Sequence, residues 1–167
     1  MTHERAAILR CALLQCNAHE GRLALRQLRV SRYTATMLDR IKAIAVEQAF
    51  ARHLGIELVS AGADEVTLRL PYQAFLGDDR VNGGAISALV DLAATSACWA
   101  SPELGPQSRG ATIGFSINYL HLVVASDLEA RARVRRRGGS ICVAEVVVSD
   151  DSGRDVTLAT VTYKLNP

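Results

Sequence analysis

Between Asn82 and Ser101 the chain carries a single charged residue, Asp91, in the run Asn82-Gly-Gly-Ala-Ile-Ser-Ala-Leu-Val-Asp91-Leu-Ala-Ala-Thr. A carboxylate set among apolar residues is costly unless paired, and burial raises its pKa, which suits a general base. At about 100° per residue, Ser87, Asp91, Thr95 and Cys98 fall on one narrow stripe of a helix. A stripe facing water would make Asp91 a solvating group and nothing more. A surface helix of this length would carry more charge, so the stripe reads as functional.

Asn82-Gly83-Gly84 stands just before that helix. Asn is a strong N-cap, and the glycines let a ligand approach the first free backbone N–H groups. Those groups and the helix dipole can polarise a carbonyl and hold a developing oxyanion. Taken alone, the three residues need be no more than a capped turn. Asn82 and Asp91 are nine residues apart, about 13 Å along one helix. One carbonyl cannot touch both ends, so joint action on one substrate requires the helix start of a second subunit and at least a dimer.

The elements that must position these groups follow from periodicity. Residues 38–53 have helical spacing and end near Gly55. Residues 56–59 and 66–70 read as a hairpin around Gly62-Ala63-Asp64, followed by a polar loop over 73–82. The apolar segment from Gly83 to Ala100 predicts a helix of about 25 Å. Four strand-like runs follow a Pro/Gly loop, at 111–120, 127–136, 140–149 and 156–165, with turn signals at Gly138-Gly139 and Asp150-Asp151-Ser152-Gly153. Antiparallel hairpins around one helix that is apolar nearly all round predict an α+β fold. About six antiparallel strands wrap the helix, which is the hotdog arrangement.

The stretch Asn82 to Asp91 resembles the His-Gly-Gly-…-Asp signature of the phenylacetate-degradation-type (PaaI-type) hotdog thioesterases. Gly110-Ala-Thr-Ile-Gly-Phe-Ser-Ile-Asn-Tyr-Leu120 resembles that family's central strand. The likeness spans roughly residues 40–165. It implies a homodimer, often paired into a homotetramer, that hydrolyses acyl-CoA thioesters without metal, coenzyme A being part of the substrate rather than a cofactor. Carried over, Asp91 is the nucleophile or general base, Gly83 offers the oxyanion-binding N–H, and Thr112 positions the attacking water. The family's His is Asn82 here, an amide that donates a hydrogen bond but cannot titrate. Leu76 stands where the family often has an Asn.

Arg135-Arg136-Arg137 precedes a hairpin turn, where guanidinium forks match the phosphates of coenzyme A. Solvated hairpin charges are the plainer reading. Trp99, Phe115 and Tyr119 read as core or acyl-pocket lining. His53 and His121 stand apart from each other and from any Cys pair, so no zinc site is expected. Ser87 and Ser96 lack a nucleophile-elbow context, which argues against a Ser-His-Asp hydrolase. The alternative function is non-catalytic acyl-CoA binding or sensing. A hotdog hydratase would need a His paired with a carboxylate, and no His lies near the start of the long helix.

Composition sets the outer limits. The chain has 167 residues, 49% hydrophobic and 22% charged, with a net charge of +2. That is too little charge for a dedicated nucleic-acid binder, and no apolar run reaches membrane-spanning length. Residues 1–36 hold six arginines against two acidic residues. They read as an Arg-rich N-terminal extension, disordered or helical, ahead of a working domain over 37–167. Cys11, Cys16, Cys98 and Cys142 show no zinc-like pairing and read as reduced thiols of a cytoplasmic protein.

Overall fold

The computed structural model describes residues 36–166. Residues 1–35, on which the expectation of an Arg-rich extension falls together with Cys11 and Cys16, lie outside the described residues. The described residues begin with two short helices, α1 over residues 36–45 and α2, Ala49–Leu54. The strands β1 (Glu57–Gly62) and β2 (Glu65–Leu70) follow, then a single 3-10 turn, Ala74–Leu76. The long helix α3, Gly83–Trp99, precedes four strands: β3 (Arg109–Tyr119), β4 (Leu128–Arg137), β5 (Ile141–Asp150) and β6 (Asp155–Asn166).

The expected single helix over 38–53 is broken at residues 46–48. The Lys42 carbonyl accepts from both Val46 and Glu47, and Gln48 is extended. The reason is burial. In one continuous helix Leu54 would lie about 180° from Ala45, yet both are buried, as is Ala51. The break turns the second segment back to the core, and Gly55, in the left-handed conformation, caps it.

The six strands form one sheet in the order β1-β2-β4-β5-β6-β3, every neighbour antiparallel. Each of the four late strands begins and ends within two residues of its expected place. Alternation turns Leu68 and Leu70, Ala130 and Ala132, Ala144 and Val146, and Ala159 and Val161 to the inner face. There they meet Leu89, Val90, Ala93, Ala94 and Ala97 of α3, all fully buried. The alanines let the helix approach the sheet closely, and the sheet wraps it as the apolar pattern required. The outer face carries charge instead, laced by pairs such as Arg133–Glu65 and Arg135–Glu145. At the β5–β6 turn the Asp150 carboxylate accepts from Ser152, Arg154 N–H and the Arg154 guanidinium, which holds its pKa at about 2.

Candidate active site

Asp91 sits midway along α3, and β3 brings Thr112 to it. The Thr112 hydroxyl donates to Asp91 Oδ1 at 2.6 Å. A β-bulge between Thr112 and Gly114 aims this side chain. The extra residue, Ile113, is left outside the β3–β6 register and is 57% exposed, a local kink of the kind that re-aims side chains beside functional sites. With Oδ1 occupied, Oδ2 is the carboxylate oxygen left to meet a reacting group.

Asp91 is half-buried rather than buried, because one face of α3 is not covered by its own sheet. Ser87 and Thr95 share that partial exposure, so three of the four expected stripe residues hold together. Cys98 does not. The last turn of α3 is closed over by Arg137, which donates to the Cys98 carbonyl, and by Cys142 on β5. Burial pushes the Cys98 thiol up, and both cysteines are free and inert in the core.

At the helix start Asn82 is extended and its Oδ1 accepts from Gly84 N–H at 2.7 Å. The Asn82 carbonyl takes Ala85 and Ile86 N–H. The cap therefore uses up Gly84 and leaves Gly83 N–H without an acceptor among the described residues. A Cβ on Gly84 would sit 2.9 Å from the Asn82 side-chain oxygen, so the cap requires glycine there. Leu76, in the 3-10 turn, is buried and serves through its backbone, its carbonyl accepting Asn82 N–H at 2.7 Å.

Tyr119, at the far end of β3, clasps this helix start. Its hydroxyl donates to the Gly83 carbonyl at 2.9 Å and lies 2.6 Å from Ser87 Oγ, which itself reaches the Gly83 carbonyl at 2.9 Å. Two hydroxyl protons serve three contacts. A Cβ on Gly83 would come within 3.3 Å of the Tyr119 ring, a tight contact that the half-exposed ring relieves by shifting a few tenths of an ångström. Sequence reasoning took Tyr119 for core or pocket lining and missed this contact. The available signal was its position, one strand length after Thr112 on the same β3 strand. Phe115 is likewise not core but 44% exposed. Trp99 donates its indole N–H to the Tyr163 hydroxyl, and Tyr163 is the cross-strand partner of Thr112.

The three consecutive arginines do not form one cluster. Arg135 pairs with Glu145 on the outer face, Arg137 binds Asp64 and the Cys98 carbonyl, and Arg136 is exposed. Strand alternation and a bulge between Val134 and Arg136 send them apart. His53 stacks beside Phe75 with centroids 5.3 Å apart, and His121 meets the Asp155 carbonyl. Among the described residues no three His, Cys, Asp or Glu side chains gather as a metal set, and no helix is long and apolar enough to cross a membrane.

Comparison with known proteins bears on the family and the fold. Residues 79–157 match the thioesterase superfamily. A Deinococcus radiodurans protein whose name proposes an esterase is 32% identical over 108 residues, which is 63% of this chain and 66% of that protein. This chain thus spans just under two thirds of that relative. A conserved Pseudomonas aeruginosa protein of known structure is 28% identical, with a TM-score of 0.65 over 71% of this chain and 94% of that one. The PaaI protein of the Escherichia coli phenylacetic acid degradation operon superposes with a TM-score of 0.69 at 21% identity, over 77% of this chain and 91% of that one, and shows the fold alone. The fold is the hotdog fold, and within it residues 79–157 are similar to the thioesterase superfamily.

Proposed function

We propose that this protein hydrolyses acyl-CoA thioesters to the free acid and coenzyme A, without a metal, in a homodimer built by antiparallel pairing of β3 with its copy. The observation that carries the reading is the Thr112–Asp91 hydrogen bond beside an open helix face. Thr112 holds one carboxylate oxygen and can accept from a water with its own lone pairs, leaving Oδ2 to take that water's proton or to attack the thioester directly. In the first route the proton passes to Asp91 and then to the departing thiolate. In the second, Oδ2 bonds the acyl carbon as the C–S bond breaks and the thiolate leaves, and water then hydrolyses the mixed anhydride, releasing the acid and restoring Asp91.

The dimer supplies what one chain lacks. Within a chain, β3 holds Asp91 near one end through Thr112 and the helix start at the other through Tyr119. Antiparallel pairing exchanges the ends, which brings the partner's capped helix start beside this chain's Asp91. The Gly83 N–H of one subunit then faces the carbonyl served by Asp91 of the other, as an oxyanion donor. Support for the pairing comes from β3 itself, an eleven-residue edge strand with Ile113, Phe115 and Tyr119 exposed. The test is release of free thiol from short, medium, long and aromatic acyl-CoAs by the purified chain. Release from at least one class is expected, and no release from any overturns the reading.

A further inference from the structure

We infer that the cleft between α1 and the second half of α3 is an anion subsite for the substrate, read by Arg40 and Arg109. The cleft has a volume of about 440 Å³ and is lined by Ile44, Thr95, Trp99 and Tyr163 as well as the two arginines, within the range of about 300–1,000 Å³ typical of small-molecule sites. It starts where the candidate active site ends. Thr95 lies one helical turn beyond Asp91, Gly110 lines it two residues before Thr112, and Tyr163 is the strand partner of Thr112. Placing the thioester at Asp91 rests on the function proposed above, and a substrate held there continues into this cleft.

The two cleft arginines lack the carboxylate partner that most of the described arginines have; Arg52 and Arg136 also lack one, but they are exposed and do not line this cleft. Arg69, Arg131, Arg133, Arg135, Arg137 and Arg154 each reach a carboxylate. Arg40 and Arg109 reach none among the described residues. Arg40 donates to the carbonyls of Leu104 at 2.7 Å and Ser101 at 3.4 Å, while its Nε is buried without an acceptor. Arg109 donates to Pro106 and Ser108 from Nη1 alone. One loop, 101–108, therefore draws both guanidinium groups to the same cleft and leaves N–H donors and two positive charges without an anion. Burial pushes the Arg40 guanidinium down from its usual value, yet an arginine stays charged at neutral pH. A half-buried charge of this kind is costly until an opposite charge arrives, and guanidinium forks fit phosphate and carboxylate oxygens equally well.

The anion has two possible sources, the phosphates of coenzyme A or a carboxylate at the far end of the acyl group. Calorimetric binding separates them without turnover. One pair of probes is coenzyme A against pantetheine, which lacks the adenosine and its phosphates. The other is a carboxyalkyl thioether of pantetheine against its alkyl counterpart. The anionic member of one pair should bind about tenfold more tightly, the scale of a charge-assisted hydrogen bond. That advantage should vanish in Arg109→Gln and in Arg40→Gln, and the pair that shows it names the source. Arg40 also fastens the loop, so Arg109→Gln carries the test if Arg40→Gln unfolds. Equal binding within both pairs, or an advantage that survives Arg109→Gln, overturns the proposal. Loss of thioester hydrolysis with the binding advantage intact would instead remove the proposed function and leave the subsite standing.

Discussion

The two edges of the sheet are built differently. β1 has six residues, is bulged between Leu58 and Ser60, and begins with Glu57 paired to Arg69. Short length, a bulge and charge are the means by which edge strands avoid pairing with other chains. β3 has eleven residues, no ion pair among the described residues and an apolar set in Ile113, Phe115 and Ile117. Phe115, Ile117 and Tyr119 alternate onto the face that meets α3. Ile117 is packed there, while Phe115 and Tyr119 remain exposed. One edge is closed and the other is an unfinished surface, and the unfinished one fastens both halves of the candidate site. The lesson is that the strand fastening both halves of the candidate site is also the edge left open to pairing.

Four predictions break or sharpen that contrast. The largest effect should come from Asp91→Asn, which leaves both edges untouched. Thiol release should fall by about 10²–10⁴ with an unchanged elution volume, as when a positioned base is lost. A rate within about threefold of the parent would remove Asp91 from the chemistry. Next comes a charge on the open edge. Phe115→Glu should dissociate the dimer by analytical ultracentrifugation and lower turnover about tenfold or more, because like charges meet across the pairing. Val59→Lys on β1, a position 52% exposed, should change neither. Equal effects at the two edges would erase the distinction.

Smaller still is the recovery in mixed dimers. Neither an Asp91→Ala chain nor a Gly83→Pro chain should hydrolyse substrate alone. Randomly mixed, they should regain about a quarter of the parent rate, since half the dimers are mixed and each holds one intact site. Failure to recover after verified subunit exchange would place Asp91 and Gly83 in separate sites. The smallest effect belongs to Tyr119→Phe, which deletes the hydroxyl over the Gly83 carbonyl. Thermal unfolding should register a loss of about 0.5–1.5 kcal/mol. The rate should fall through kcat more than KM, because the hydroxyl holds the helix start rather than the substrate.

Much of this was legible in the chain. The lone Asp91 in an apolar helix, the Asn82 cap and the four late strands follow from periodicity and residue type, which act over a few neighbours. The break at 46–48 was not legible, because helical spacing continues through it and only the need to bury Ala45, Ala51 and Leu54 together forces the turn. Nor was the scattering of Arg135, Arg136 and Arg137. Their adjacency suggested one patch, and strand alternation with a bulge divided them.

Local sequence, then, determined the helix, the strands and which carboxylate could act, since hydrophobic period and capping chemistry are short-range. Tertiary structure alone decided that Thr112 meets Asp91, that Tyr119 clasps Gly83, and that Arg40 and Arg109 line one cleft with no carboxylate partner among the described residues. Those outcomes depend on the register of β3 against β6 and on the path of the 101–108 loop. Contacts between residues 21 to 64 positions apart are set by the packing of whole elements against one another, which no local pattern encodes.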